Sequence, residues 1–281
     1  MIGCTKLLCG QATVSEALNY GRDTRKLPPH LLQFSSDARP LVVWNTTNRC
    51  NLKCEHCYIN AEDRDYSGEL THEEAVAFIE DLGEMQIPVL LFSGGEPILR
   101  KGLAELGALA AAKGLRPVVS TNGTLITPAK AQELKEAGFQ YVGVSIDGAE
   151  ATHDKFRGVP GSYQKAITGI GNSLEAGIKA GVRFTINASN FQDLPDVLDM
   201  VERERIPRFC MCHLVYAGRG KEMLELDTTH AQKRETIEFL VRKSFELKDK
   251  GVDVEILTTD NHADGIYIYQ YVQKHLPERA K

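Results

Sequence analysis

The sequence has no run of about 18 apolar residues; its most apolar stretches, such as residues 87–92, are strand-sized, so no membrane-spanning helix is expected. It has no basic excess either. Lysine and arginine total 33 against 38 aspartate and glutamate, a net charge of −5, and the basic face that marks a dedicated nucleic-acid binder is missing. The first residues, MIGCTKLLCG, offer too short an apolar core and no clear cleavage site for a secretory signal, which points to the cytoplasm. Cysteines number only seven, an odd count, and cytosolic thiols stay reduced, so a disulfide framework is the weaker reading. What remains is ordinary globular material: 281 residues, 42% hydrophobic and 25% charged, enough for two domains or one large α/β barrel.

From about residue 40, strand-length apolar runs alternate with longer segments of helical period. The runs fall at 41–45, 89–92, 117–120, 141–146, 182–186 and 209–215. Helical segments are expected at 71–85, 101–113, 128–137, 162–180, 194–205 and 229–250, the first opening on a Thr71-x-x-Glu74 capping box and the third on Pro128. Six βα units imply a parallel sheet. The expected fold is therefore α/β, a partial (β/α)6 TIM-like barrel, with a cap at 1–39, a core at 40–220, and an extension at 221–281 made of a helix, one more strand and a second helix.

In parallel α/β folds function gathers at the carboxyl ends of strands. Here those ends carry, in order, a cysteine loop, Ser93-Gly94-Gly95-Glu96-Pro97, Thr121-Asn122-Gly123, Asp147-Gly148, residues 187–190 beginning at Asn187, and Tyr216-Ala217-Gly218-Arg219-Gly220. The loop RCNLKCEHC places Cys50, Cys54 and Cys57 within eight residues. Three soft ligands in one short loop suit a metal or cluster, and the lack of a fourth cysteine leaves an open coordination position, unlike a closed structural zinc site. His56 is a fourth donor in principle, but it immediately precedes Cys57 and is expected to point away from a centre that Cys57 binds. Taken singly, Gly-Gly-Glu-Pro and Asp-Gly are ordinary turn sequences.

Cys-x3-Cys-x2-Cys followed by Tyr58, together with Gly94-Gly95-Glu96-Pro97, Ser120-Thr121-Asn122-Gly123-Thr124, and Ser145-Ile146-Asp147-Gly148 with His153-Asp154 and Arg157-Gly158, resembles the radical S-adenosylmethionine (SAM) superfamily over roughly residues 40 to 220. The resemblance implies that Cys50, Cys54 and Cys57 hold three irons of a [4Fe–4S] cluster whose fourth iron is chelated by SAM. It implies that Gly94 and Gly95 let backbone approach SAM, that Glu96 accepts from its ammonium, that Asn122, Asp147 and Asn187 lie in the cofactor site, that Ser145 and Arg157 bind its ribose or carboxylate end, and that His56 lies near the adenine.

The run from Ile2 to Phe34 leading into Val42-Val43-Trp44-Asn45, taken with residues 209–220, resembles the tetrapyrrole-processing branch of the superfamily, the didecarboxysiroheme deacetylases most, with the haem d1 biosynthesis enzymes as the nearest alternative. That resemblance implies an iron-bearing modified tetrapyrrole as substrate, removal of its acetate side chains to give an iron coproporphyrin, and a flavodoxin- or ferredoxin-like electron donor. A polycarboxylate macrocycle calls for cationic anchors; Arg219, Lys221 and Arg22, with Arg25 beside it, are the candidates. His213 and Tyr216 are candidates for a proton donor or for groups facing the iron. Cys210 and Cys212 share one strand face by their i, i+2 spacing and read as packed thiols. The branch usually carries clustered cysteines in a longer C-terminal extension, whereas none follows Cys212 here, so a shortened chain or a single cluster is expected. A peptide-modifying maturase with the same barrel, and an iron–sulfur or zinc carrier without catalytic activity, are the competing readings; the carrier leaves the glycine-rich motifs unexplained.

Overall fold

The computed structural model describes residues 1–9 and 39–277. A two-residue strand β1 (Ile2–Gly3) and a short helix α1 (Cys4–Cys9) open it. Regular alternation follows: β2 (Val42–Thr47), α2 (His72–Glu84), β3 (Val89–Gly94), α3 (Leu103–Ala112), β4 (Arg116–Thr121), α4 (Pro128–Glu136) and β5 (Tyr141–Ser145). Two helices, α5 (Glu150–Arg157) and α6 (Ser162–Glu175), precede β6 (Lys179–Ile186), and then come α7 (Leu194–Arg203), β7 (Arg208–His213), α8 (His230–Asp249), β8 (Glu255–Thr259) and α9 (Ala263–His275).

Local chemistry explains the boundaries. At α2 the Glu74 amide donates to Thr71 Oγ1 at 3.2 Å while the Thr71 amide donates to Glu74 Oε2 at 2.8 Å, the reciprocal box expected from the sequence. Ala75, Ile79 and Leu82 then bury one stripe of the helix. Helix α6 stops at Glu175, short of the expected residue 180, because Gly177 turns the chain with φ +76° and residues 179–181 join the next strand. Helix α5 was not anticipated; its eight residues carry too few apolar positions to show a helical period.

Strands β2 to β8 lie in sequence order and pair in parallel, while β1 pairs antiparallel with β8. Among the described residues the parallel sheet thus has seven strands, one more than the six expected in the barrel itself, because the strand after α8 continues it. The sheet is open, with β2 and β1 at opposite edges. Strand alternation separates two faces. Phe92, Val119, Val144, Phe184, Phe209 and Met211 turn into the core with the helices. The alternate residues Ser93, Ser120, Ser145, Arg183 and Cys212 line a cavity on the other side. Among the described residues no helix is long and apolar enough to cross a membrane.

Phe139, 1% exposed, meets Phe92 edge-on at 5.3 Å between centroids and covers Gly107, where a Cβ would stand 2.2 Å from the ring. Phe139→Ala is expected to lower stability by about 3–5 kcal/mol in denaturant titration. A loss below about 1 kcal/mol would show that this ring does not seat α3 on the sheet.

Candidate active site

The cysteine loop has almost no regular structure of its own, so its backbone is held by neighbours on three sides. From β3, the Gly95 amide donates to Thr47 O at 2.7 Å and the Glu96 amide to Arg49 O at 2.8 Å. A Cβ at Gly94 or Gly95 would stand 2.3 Å from those same carbonyl oxygens, and Gly94 also needs φ +129°. The paired glycines are therefore required first for approach to the cysteine-bearing loop, a role distinct from the expected approach to a cofactor, although both also line the cavity. From α5, Phe156 O and Arg157 O accept from the Glu55 and Lys53 amides at 3.0 and 3.2 Å. From the segment after β7, the Arg219 amide donates to Cys57 O at 2.9 Å and its Nε to Cys54 O at 2.8 Å.

The three sulfurs share the wall of one cavity of about 380 Å³, within the ~300–1,000 Å³ usual for ligand sites. All three thiols are free, and each meets an N–H donor: Cys50 Sγ the Leu52 amide at 3.4 Å, Cys57 Sγ the Ala61 amide at 3.3 Å, and Cys54 Sγ Arg157 Nη1 at 3.5 Å. Such donors suit thiolates bound to metal. Without one, burial pushes the Cys50 thiol up to about 12 and also raises Cys54, where Arg157 works in the opposite direction. A cationic cluster is the compensation that these sites lack. Three thiolates on one cavity wall, with no fourth cysteine in the loop, match a cluster held by one thiolate per iron and differ from a closed four-ligand zinc site.

Around the thiols, Gly94, Gly95, Asn122, Ser145, Arg157, His56 and Arg219 all line the cavity. His56 stacks on Phe156 at 4.5 Å, nearly parallel, and burial lowers its pKa to about 4. Three other expected cofactor residues lie behind the wall. Glu96 is fully buried and accepts from Thr121 Oγ1 (2.7 Å), the Ile98 amide (3.0 Å) and the Asn122 amide (2.8 Å), so its carboxylate joins the β3 and β4 loops and does not face a ligand. Asp147 pairs with Arg157 and accepts from the Thr185 amide at 2.7 Å; burial alone would raise its pKa, but Arg157 overrides this and holds it low. Asn187 closes its own turn with Ser189 and Asn190.

The expected substrate groups fare differently. His213, buried at the end of β7, lines the cavity, and its Nε2 lies 2.8 Å from Asp264 Oδ2. Asp264 thus fixes the ring orientation, while Nδ1 has no hydrogen-bond partner among the described residues. Tyr216 lies off the cavity wall with its hydroxyl donating to Asp227, and Lys221 is exposed away from it. Arg219 reaches the cavity, but Cys54 O and Ala61 O occupy its Nε and Nη1. Arg22 and Arg25 fall outside the described residues. Conversely, Arg183, Thr185 and Asp260 line the cavity unannounced, joined by Ser120, named only within its motif, and Cys212, read as a packed thiol. Polar residues alternating in the otherwise apolar run VRFTI were the available signal.

Residues 44–201 match the family model of the Radical SAM superfamily. The chain belongs to that superfamily. Its cofactors as a radical SAM enzyme are a [4Fe–4S] cluster and SAM, which the cavity described above fits. It is 52% identical over 280 residues to the Fe-coproporphyrin III synthase of Methanosarcina barkeri, covering 100% of this chain and 70% of that one. It is 41% identical to the pre-heme d1 synthase of Dinoroseobacter shibae, over 89% of this chain and 62% of that one. Among solved structures, Streptococcus suis SuiB bound to S-adenosylmethionine superposes with a TM-score of 0.67 at 16% identity, covering 82% of this chain and 52% of that one, a likeness of fold. The chain thus spans between half and about two thirds of these relatives.

His153, 1% exposed, accepts from the Asp147 amide through Nδ1, and burial, helped by Arg157, lowers its pKa from 6.5 to about 4. Between those values the unfolded chain binds more protons than the folded one, so stability is fully present above about pH 6.5 and falls as pH drops towards 4. Urea titrations at pH 7 and 5 should show this loss reduced in His153→Asn; an equal loss in the variant would contradict a neutral buried imidazole.

Proposed function

We propose that this chain forms the barrel of a radical SAM enzyme of haem biosynthesis that removes the acetate side chains of didecarboxysiroheme to give iron coproporphyrin III. The observation that carries the reading is the 52% identity, along the whole of this chain, to a protein named for that product. The site is compatible with it. Cys50, Cys54 and Cys57 would hold the cluster, and Gly95, Asn122, Ser145 and Arg157 would hold SAM. When bound, these cofactors supply a 5′-deoxyadenosyl radical able to take a hydrogen atom from an unactivated carbon.

The chain's own part is to seat the macrocycle and exclude water. Val43, Tyr58 and Val215 line the cavity while staying 53%, 43% and 47% exposed, an apolar rim of the kind a flat tetrapyrrole would cover. The reading includes a cytoplasmic setting and a flavodoxin- or ferredoxin-like electron donor.

Anaerobic incubation of the reconstituted protein with SAM, dithionite and didecarboxysiroheme, followed by mass spectrometry, should give 5′-deoxyadenosine together with stepwise loss of two acetate groups. Cys57→Ala should reduce both products to the level of the control without enzyme. SAM cleavage with the tetrapyrrole intact would sink the substrate assignment and favour propionate chemistry of the haem d1 type or a peptide substrate.

A further inference from the structure

Two arginines on the cavity wall, Arg183 and Arg219, make no ion pair with a carboxylate among the described residues, and Arg219 is held by the backbone carbonyls of the cysteine loop. Arg157 pairs with Asp147, and Arg208 with Glu255 at 2.6 Å, so two of the arginines close to the cavity are neutralised by carboxylates. Arg183 is not. Its Nη1 donates to Ser120 Oγ at 3.0 Å, and its guanidinium rests against the Cys212 thiol with Cys210 and Tyr141 nearby. Among the described residues it makes no ion pair with a carboxylate, although Asp260 lines the same cavity. The guanidinium is half-buried, and the Cys212 thiol, whose pKa is lowered by its contact with Cys210 and by Arg183 itself, balances it only in part, so donors remain for an anionic ligand.

The sheet is built to hold this side chain across its face. Ser120 lies opposite Gly143, and Arg183 opposite Ser145, so the arginine must cross β5 to reach β4. It crosses at Gly143, where a Cβ would stand 3.2 Å from Arg183 Cδ. Ser120 then fixes the guanidinium before any ligand arrives. Five N–H donors leave room for a carboxylate held by two bonds beside the Ser120 and Cys212 contacts.

We propose that Arg183 receives a carboxylate of the substrate on the cavity wall and so sets how the macrocycle lies against the cofactor site. The proposal rests on the tetrapyrrole reading above. It assigns the anchoring role to a residue inside the barrel in place of Arg219, which holds the cysteine loop, and Lys221, which points elsewhere.

The test uses the reconstituted holoprotein and two probes, iron coproporphyrin III with four carboxylates and iron octaethylporphyrin with none, titrated by absorbance. In Arg183→Gln, affinity for the tetracarboxylate should fall about tenfold or more, while affinity for the uncharged porphyrin and for SAM changes by less than about twofold. Arg183→Lys, which keeps the charge and loses the planar fork, should fall between; iron content and circular dichroism verify that both variants are folded. Unchanged binding of the tetracarboxylate, or an equal loss for both porphyrins, overturns the proposal. A matching loss of SAM affinity also overturns it, with the carboxylate of SAM as the occupant. If the unaltered protein binds neither porphyrin, the substrate reading itself has failed, an outcome separate from these.

Discussion

The buried pairing of Arg157 with Asp147 is the joint on which the site depends. Asp147 also accepts from the Thr185 amide, which ties the end of β5 to β6, and Arg157 touches Cys54 Sγ while its carbonyl accepts from the Lys53 amide. One ion pair therefore couples two strands, a helix and the loop that carries the thiols. Buried pairs of this kind add little net stability over an apolar pair, but removing one partner strands a charge in a low-dielectric interior. The joint is better understood as a device for position than as a source of folding energy.

Around that joint the sheet divides its labour by alternation. One face presents Phe92, Val144, Phe184 and Phe209 to the helices, and the other presents serines, an arginine and a thiol to the cavity. A one-residue slip in any central strand would exchange these sets, so the packing that stabilises the fold also aims the polar side chains. The glycines after β3 complete the arrangement by letting the backbone of one loop touch that of another, with Glu96 buried beneath as the tie between β3 and β4.

Much of this was legible in the sequence, for identifiable reasons. Central parallel strands are apolar on their core face and bounded by turn residues, so six of them could be located, and the Thr71 box announced the start of α2. The cysteine loop and the motifs at the strand ends identified the cavity. What could not be read was orientation. Glu96, Asp147 and Asn187 occur at the expected strand ends, yet their carboxylates and amide turn back into the protein, a matter of χ angles and neighbours that spacing does not encode. Cys212, read as a packed thiol, reaches the cavity beside His213, which strand alternation alone did not show. Arg183 was passed over because one arginine in VRFTI looks like a solvated charge until the strand is known to be central.

The shortest strand imposes an order on how the molecule is made. Ile2 and Gly3 pair with Thr258 and Leu257, and Thr5 Oγ1 accepts from the Ile256 amide at 2.7 Å across 251 residues of sequence. Cys4 and Leu8, both fully buried, pack in the same core cluster. These residues are thus translated long before the strand they pair with. Until β8 has been translated, this apolar N-terminal segment must remain outside the growing sheet, where its early exposure has to be tolerated by the nascent chain.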